Sequence, residues 1–560
     1  MVTGRSKEPI RPGPGSGGGT VRGVRGRPWG PSGQGLRPRT SGSSRATARS
    51  SSATVSCRPA APRKGSPPGC RITHQRPQPP HRGVRRPQGG FLVRVVLVNP
   101  AHTGIRPEDE EEHLGLGYLA AVARSEGHEV TVLDATPRRL PPAAAARRVL
   151  DLIPAGPGTE GREAGLIGVS VIFQELIPSA MALIAELRHL GFSGHITIGG
   201  HPPTFLYREL CRDFAGFDSV VVGEGEVTFT DLLRALDAGD DWRGLPGLVD
   251  AEAVRGRPGE GPDGDRAAAA AGPTPRPLVA DLDELPFPAR DTLPEFTSRP
   301  RGTASVLRSR GCYGDCSFCD VRAFYAALPG SAWRVRSAAN VADEVEMLMR
   351  DHGIERIRFW DDNFIGPGRR GREAAEELAR EFVRRRLKVP FSFECRVTDV
   401  DRDLFRLLKE AGLRKVFLGI ESVVQRQLDL YNKKVTVEDN RRALTTLEEL
   451  GLEVTVGMIM FDPDTTMDEL GANLEFLKEV FGSWAEVRKR VAQPWNRLQV
   501  FAGTPIEKTL REQGRLKGDY VRYDYEFTDP TVRALYASGA VLRRLGLPIR
   551  DAMNRLRRRA

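Results

Sequence analysis

Three cysteines that lie close together constrain this chain more than any other feature. Cys312, Cys316 and Cys319 fall within the run RGCYGDCSFCD, which begins at Arg310. Soft thiolates brought together on one short loop suit an iron-sulfur cluster. A 4Fe-4S cube held by four cysteines is coordinatively closed, whereas a cube held by three leaves one iron free to bind a small molecule and pass it an electron.

Zinc is the main competitor for these thiolates. A structural zinc site needs a fourth Cys or His at close spacing, such as a second C-x2-C pair, and none follows Cys319. A disulfide framework is a weaker interpretation, because three is an odd number and the chain has only 7 cysteines in 560 residues. We therefore predict a cluster, with zinc or a metal-free loop as the remaining alternatives.

The C-x3-C-x2-C spacing, with Phe318 just before the third cysteine, resembles the radical S-adenosylmethionine (SAM) superfamily. The resemblance implies that the open iron chelates the amino and carboxyl groups of the methionine part of SAM. It also implies that an external donor of flavodoxin or ferredoxin type reduces the cluster. Reductive cleavage of SAM then gives a 5'-deoxyadenosyl radical.

The basic character of the chain belongs to its N-terminal segment. The formal net charge is +11, but residues 1–90 alone hold 18 Lys and Arg against one acid, Glu8. This segment is dense in Gly, Pro, Ser and Arg and lacks apolar periodicity, which predicts a disordered tail. Its cations are not interleaved with aromatic residues, so we do not expect a nucleic-acid partner. A transit peptide is an alternative, although no amphipathic helix is visible.

The rest of the composition predicts a cytoplasmic protein. We find no run of about 18 apolar residues, so no membrane span is expected. Sparse cysteines, three of them in the cluster motif, indicate a reducing compartment.

Residues 91–245 alternate between β-rich apolar runs and helical patterns. We predict strands at 91–100, 129–133, 166–172, 195–198 and 219–222 and helices at 116–126 and 180–190. This alternation predicts an α/β fold with a Rossmann-like doubly wound parallel sheet, whose ligand sits at the carboxyl ends of the strands.

Glycines follow two of these strands. Gly199 and Gly200 come after one strand, and Gly223 and Gly225 come after the next. Together with the upstream runs LGLGYLA and GHEV, they resemble the cobalamin-binding domain that precedes the barrel in one large class of radical SAM enzymes. A dinucleotide is the rival ligand, but no G-x-G-x-x-G follows the first strand.

The resemblance departs from some cobalamin proteins at one point. The Asp-x-His-x-x-Gly signature that supplies an axial histidine is missing. We therefore expect base-off cobalamin without a protein histidine ligand. His201, which precedes a proline at a strand end, is interpreted as a loop residue.

Residues 246–300 are predicted to form a linker, in which 251–277 is a flexible insertion rich in Gly, Pro, Ala and Asp. Residues 301–515 then predict a partial (βα)6 TIM-type barrel with its chemistry at the carboxyl ends of the strands. The candidate strands are 304–307, 356–360, 390–395, 415–420, 453–460 and 497–501. Residues 516–560 are predicted to be a helical C-terminal segment.

Polar residues follow the predicted barrel strands, where the resemblance implies contacts with SAM. Asp361, Asp362 and Asn363 follow the second strand, where the family binds the methionine amino group. The remaining candidates follow later strands; they are Arg396, Gly419, Glu421, Ser422 and Gly457. No catalytic residue is assigned, and Cys395 is interpreted as a buried structural thiol.

The resemblance as a whole implies a cobalamin-dependent radical SAM methyltransferase that acts on an unactivated carbon or phosphorus centre of a small molecule, in the manner of natural-product pathways. One alternative retains both cofactors but performs cyclisation or rearrangement without methyl transfer. Another is a non-catalytic cobalamin or redox-binding protein. Methylthiotransfer to transfer RNA is disfavoured, because Cys211 is the one cysteine of the first globular unit.

Overall fold

The computed structural model describes residues 93–102, 111–153, 165–256, 272–297, 302–492 and 495–544. The predicted tail at 1–90 and most of the predicted flexible insertion lie outside the described residues. Among the described helices, none is both long and apolar enough to cross a membrane.

The first unit is built on a six-stranded sheet. Its strands are β1 Arg94–Asn99, β2 Glu129–Asp134, β3 Gly165–Ser170, β4 His195–Gly199, β5 Ser219–Val221 and β6 Leu248–Asp250. They lie in the order β2-β1-β3-β4-β5-β6, and only β6 pairs antiparallel. Helices cover both faces of the sheet, and β1 and β3 are therefore buried along almost their whole length. The doubly wound architecture is confirmed.

Six helices pack on this sheet. They are α1 Leu114–Ser125, α2 Pro142–Asp151, α3 Ile177–His189, α4 His201–Asp213, α5 Gly225–Ala238 and α6 Ala251–Arg255. The expectation that His201 is a loop residue was wrong, because His201 opens α4, and the prolines that follow it fit the first turn of a helix. Strand β6 and helix α6 also lie in residues that the sequence assigned to the linker.

The second unit is an open barrel. Its parallel strands are β7 Thr303–Val306, β10 Arg356–Phe359, β11 Phe391–Arg396, β12 Leu413–Glu421, β13 Glu453–Met458 and β14 Val491–Ala492. Their order is β14-β13-β12-β11-β10-β7. A short antiparallel pair, β8 Ser309–Arg310 and β9 Arg334–Val335, follows β7.

Helices occupy the intervals between the barrel strands and continue to the C-terminus, after the linker helix α7 Leu293–Thr297. They are α8 Asp320–Ala326, α9 Ala338–His352, α10 Gly368–Arg385, α11 Arg402–Glu410, α12 Gln425–Leu430, α13 Val437–Glu449, α14 Met467–Phe481, α15 Trp484–Arg490, α16 Pro505–Glu512 and α17 Pro530–Arg544. Local sequence sets several of their starts. Thr436 with Asp439, and Thr466 with Glu469, form reciprocal capping boxes.

The sixth predicted strand, 497–501, was wrong. It forms only an isolated bridge between Arg497 and Phe461, and β14 takes its place in the sheet. One reason is that the next backbone segment turns toward the first unit, where the N–H of Ala502 donates to Gln174 Oε1 at 2.7 Å. The predicted helical C-terminal segment also begins with a hairpin, β15 Leu516–Asp519 and β16 Arg522–Tyr525.

A buried ionic cluster joins the two units through the linker. Arg290 donates to Glu112 of the first unit and to Glu344 of α9, each at 2.5 Å. Glu344 also accepts from Arg336 at 2.5 Å, and all four side chains are at most 4% exposed. Charges this deeply buried are tolerated only when each has a partner, so the cluster fixes the relative position of the units.

We predict that Glu344→Ala lowers the free energy of unfolding by about 3 kcal/mol, because two buried guanidinium groups lose a carboxylate. Urea unfolding followed by far-UV circular dichroism measures this change. The matched control is Glu346→Ala on the same helix, whose half-exposed carboxylate lies 3.4 Å from Arg385. The control should change stability by less than about 0.5 kcal/mol. Equal effects of the two substitutions would contradict the structural role of the cluster.

Candidate active site

The cysteine loop leaves the barrel at the carboxyl end of β7, immediately after β8. The turn starts at Gly311, whose φ is +85°. A Cβ at this position would overlap the carbonyl oxygen of Ala332, so the turn requires glycine. Cys319 is the N-cap of α8 and ends the loop.

The turn after α12 holds the loop from behind. Ser317 donates its backbone N–H to the carbonyl of Tyr431 at 2.9 Å, and Asn432 Nδ2 donates to the carbonyl of Asp315 at 2.7 Å. The ring of Phe318 meets that of Tyr431 edge-on, with centroids 5.7 Å apart. Sequence reasoning missed this support, although YNKK is a composition that tolerates the positive φ found at Asn432.

Two of the three cluster cysteines accept an N–H hydrogen bond. Cys312 accepts from the backbone of Gly314 at 3.3 Å, and Cys316 accepts from Arg396 Nη1 at 3.2 Å. Hydrogen bonds of this kind stabilise the sulfur ligands of iron-sulfur clusters.

Burial raises the pKa of the Cys312 and Cys319 thiols, so an iron ligand rather than solvent must stabilise their thiolates. Among the described residues, no three His, Cys, Asp or Glu side chains are spaced to hold one metal ion. In a cubane, three thiolates bind three different irons. The donor set therefore fits a 4Fe-4S cluster, and the three cysteines would hold it.

A buried ion pair lies beside the loop at the end of β12. Lys433 Nζ donates to Glu421 Oε1 at 3.0 Å, and both side chains are largely buried. Glu421 has φ of +66°, at an irregularity in the pairing of β12 with β13. Gly419 makes room for this pair, because a Cβ there would lie 2.9 Å from Glu421 Oε1 and 3.0 Å from Lys433 Nζ. At Gly457 a Cβ would instead meet the Phe417 ring at 2.9 Å.

Several polar residues predicted to bind SAM are engaged inside the protein. Asp361 accepts from the backbone and hydroxyl of Ser309, and its burial raises its pKa to about 6. Asn363 donates to Asp399 at 2.8 Å and accepts from the N–H of Gly366.

Ser422 is likewise fully buried. Its hydroxyl donates to Gln427 Oε1 at 2.5 Å and accepts from the N–H of Val424 at 2.9 Å. Asp361, Asn363 and Ser422 thus hold loops in place through hydrogen bonds within the protein.

Asp362, unlike these three residues, faces a cavity. One carboxylate oxygen accepts from the N–H of Gly311 at 2.8 Å, and the residue lines a cavity next to the cysteine loop. Desolvation raises its pKa, an effect that His201 opposes. Asp362 therefore presents an acceptor beside the predicted cluster.

The cavity has a volume of about 520 Å³ and lies between the two units. Its walls come from the carboxyl ends of β1, β3, β4 and β5 on one side and from the ends of β8 and β10 on the other. All four glycines predicted to bind cobalamin line it, namely Gly199, Gly200, Gly223 and Gly225. The structure thus brings these glycines and Asp362 to one space.

Two of these glycines have a positive φ, a backbone conformation that residues with a side chain rarely adopt. Gly200 has φ of +126°, and a Cβ there would overlap the carbonyl of Val171. Gly223 has φ of +88°, and a Cβ there would lie 2.7 Å from Leu328 of the barrel unit. Because glycine has no side chain, the ends of the strands can approach the barrel, and the cavity wall has no side chains at these positions that would obstruct a flat corrin ring.

Three histidines line the cavity, and His113 and His201 have polar partners on their rings, whereas His102 has a ring contact with Phe173 at 5.7 Å. His113 Nδ1 accepts from the N–H of Leu116, and Nε2 lies 2.8 Å from the Ser170 hydroxyl. Burial lowers the pKa of His113 to about 4, so its ring is neutral. His201 stacks on Phe324 at 4.1 Å, with Nδ1 3.1 Å from a carboxylate oxygen of Asp320.

Ion pairs connect the floor of the cavity to the cysteine loop. Arg310 pairs with Glu224 at 3.2 Å and with Glu226 at 2.6 Å, and Arg334 pairs with Glu224 at 2.8 Å. The Arg310 guanidinium also lies over the ring of Tyr118 at 4.9 Å. The sequence analysis used the glycines of the run GEGE and did not predict that its glutamates form ion pairs. The arginines that pair with them lie far along the chain, so no local pattern indicates the pairing.

Two family descriptions match the chain. Residues 103–233 match the B12 binding domain, and residues 306–477 match the Radical SAM superfamily. The first match covers most of the doubly wound sheet, and the second covers the cysteine loop and the barrel through α14.

Curated relatives differ in the activity that their names give. An uncharacterized methyltransferase, PH0819, from Pyrococcus horikoshii is 28% identical over 70% of this chain and 78% of its own length. An anaerobic magnesium-protoporphyrin IX monomethyl ester cyclase from Rubrivivax gelatinosus is 29% identical over 49% of this chain. This chain spans 47% of the cyclase.

Solved structures agree on the fold. The cobalamin-dependent SAM radical enzyme OxsB, with aqua-cobalamin and SAM bound, has a TM-score of 0.64 and 22% identity. The likeness covers 80% of this chain and 66% of OxsB. This likeness shows the fold, and the two family matches show that the chain combines a B12 binding domain with a domain of the Radical SAM superfamily.

Proposed function

We propose that the protein is a methyltransferase that methylates an unactivated carbon or phosphorus centre of a small molecule. The observation that carries the proposal is the single cavity that reaches from the four glycines of the first sheet to Asp362, beside the cysteine loop. In such an enzyme, bound SAM supplies a radical that activates the substrate and bound cobalamin supplies the methyl group. A relative named as a methyltransferase supports the proposal.

The residues of this chain contribute placement. Cys312, Cys316 and Cys319 would hold the cluster, and the free carboxylate oxygen of Asp362 would accept from an N–H of the amino group of SAM. The Glu421–Lys433 pair presents one acceptor and one donor at the end of β12 to the polar parts of the same cofactor. Because reacting groups must lie within contact distance, the fixed walls of the cavity set the geometry of transfer.

The substrate would enter on the side of two exposed aromatic residues. Phe173 is 43% exposed and Trp360 is 36% exposed, and both line the cavity, one from each unit. Exposed aromatic surface inside a cavity favours an apolar ligand that excludes water. We also propose that a low-potential donor of flavodoxin or ferredoxin type supplies the electron.

Cyclisation or rearrangement without methyl transfer is the second candidate. A relative named as a cyclase favours it, and the same cavity would serve. A non-catalytic cobalamin-binding protein is a third, for which the buried, donor-supported cysteine loop has no evident use.

The products formed by oxygen-free, reconstituted protein distinguish these functions. With SAM labelled in its methyl group, hydroxocobalamin, a reductant and a panel of apolar small molecules, we expect 5'-deoxyadenosine together with a labelled methylated product. Deoxyadenosine with an unlabelled, rearranged product would establish the second candidate instead. A protein that leaves SAM intact under reduction would support the third.

We predict that Cys316→Ala abolishes reductive cleavage of SAM, because two thiolates cannot keep a cubane with one open iron. Deoxyadenosine formation, measured by chromatography, should fall at least about a hundredfold. The control is Cys211→Ala, which removes a buried thiol of α4 in the first unit. Unchanged deoxyadenosine formation in Cys316→Ala would refute the cluster assignment.

We predict that Gly200→Ala weakens cobalamin binding at least about tenfold. The new Cβ must push the turn away from the Val171 carbonyl and so deforms the floor of the cavity. Titration of the cobalamin absorption spectrum measures the affinity. Gly127→Ala is the control, because Gly127 also has a positive φ, of +96°, but open space around its Cβ position. Parental affinity in a folded Gly200→Ala protein would be inconsistent with the proposed corrin site.

A further inference from the structure

One thiol of the cysteine loop receives a charged hydrogen bond. Arg396 Nη1 donates to Cys316 Sγ at 3.2 Å, whereas Cys312 accepts from the neutral backbone N–H of Gly314. The sequence predicted Arg396 as a ligand of SAM. The structure instead directs its guanidinium at a sulfur atom of the predicted cluster.

The position of this guanidinium is fixed by the protein. Arg396 Nη2 donates to the carbonyl of Lys433, and the Arg396 backbone N–H donates to Asp399 at 3.0 Å. The guanidinium also lies over the ring of Tyr313 at 5.5 Å. Arg396 is 8% exposed, so solvent screens its charge weakly.

The charge of Arg396 is not neutralised by an ion pair. Within the described part of the chain, no carboxylate forms a salt bridge with it, and its buried Nε has no hydrogen-bond partner. The neighbouring cation, Lys433, differs in this respect, because Glu421 pairs with it at 3.0 Å. The positive potential of Arg396 therefore acts mainly on Cys316.

Gly314 of the cysteine loop leaves space for the Arg396 guanidinium, because it has no side chain. A Cβ on Gly314 would lie 2.5 Å from Arg396 Nη1 and 3.3 Å from Cys312 Sγ. The φ of Gly314 is not among the positive values, so alanine fits its backbone. Any side chain at position 314 would thus displace Arg396 from the loop without straining the turn.

We propose that Arg396 is a positioning residue that raises the reduction potential of the cluster, and that Gly314 provides the gap through which it reaches Cys316. This inference rests on the proposed cluster. One electron from a low-potential external donor converts the cluster core from the 2+ to the 1+ state, and no bond is formed or broken. Because the reduced cluster carries one more negative charge, a nearby cation with a hydrogen bond to sulfur favours it.

The test is a redox titration of the oxygen-free, reconstituted full chain without SAM, followed by electron paramagnetic resonance of the reduced cluster. Arg396→Gln should shift the midpoint potential to a more negative value. At a fixed potential, the ratio of reduced to oxidised cluster should fall about tenfold, as expected for loss of a charge-assisted hydrogen bond. Gly314→Ala should shift the potential in the same direction, although it removes no charge.

Coupling between the two positions separates this role from general damage. The double variant should have a potential close to that of Arg396→Gln alone, since the guanidinium is the group that the new Cβ approaches most closely, at 2.5 Å against 3.3 Å for Cys312 Sγ. Arg497→Gln is the control and should have the parental potential, because its guanidinium lies over Tyr525, 3.8 Å from the ring centre, and pairs with Asp524.

Parental potentials in Arg396→Gln and Gly314→Ala, with full iron content, would overturn the inference and leave the proposed function intact. If Arg396→Gln does not hold iron, the potential of Gly314→Ala decides alone. Absence of a cubane signal in the parent protein would instead refute the proposed function.

Discussion

The ion pairs between the run GEGE and Arg310 and Arg334 act with the Arg290 cluster to determine how the two units meet. Glu224 and Glu226 follow β5, and they hold Arg310, which lies two residues before the first cysteine. These groups are at most 10% exposed, so separating them would leave charges in a poor solvent. The carboxyl ends of a sheet and a barrel are therefore held face to face. The cavity between them is a consequence of that arrangement.

Positive and negative side chains lie on different sides of the cysteine loop. Arg396 and Lys433 lie near Cys316, whereas Asp320 and Asp362 lie near Cys319 and disfavour its ionised form. A cluster bound here would meet cations toward β11 and carboxylates toward the cavity. This distribution of charge suits an amino group of SAM on the side of the cavity, where carboxylates can accept from its N–H groups. It also suits a cluster whose added electron is stabilised by the cations near Cys316.

Most of the fold could be predicted from the sequence, because buried parallel strands are continuous apolar runs. The run RVVLVN became β1, and the cysteine spacing, together with glycines at strand ends, indicated both domains. The prediction failed at 497–501, where a β-like run forms only one bridge with the barrel sheet. The residue after this run, Ala502, donates its N–H to Gln174, more than 300 residues away, and no local sequence pattern indicates this contact.

The contacts that candidate site residues make within the protein were hard to predict. Residues after strands were expected to bind SAM, which stays a prediction, and Asp361 and Ser422 also form buried hydrogen bonds with other groups of the protein. Whether a polar residue at a strand end faces a ligand or a loop depends on neighbouring donors that need an acceptor. The role of Arg396 was equally hidden, since it depends on the missing side chain of Gly314.

The central claim is that three cysteines hold a cubane whose open iron binds SAM within reach of the corrin site. Electron-nuclear double resonance on the reduced, oxygen-free protein tests it most directly, with SAM labelled by 15N in the amino group and 17O in the carboxylate. The account predicts that both labelled atoms couple to the cluster spin. A cubane that couples to neither label, or a protein without a cubane, would contradict it.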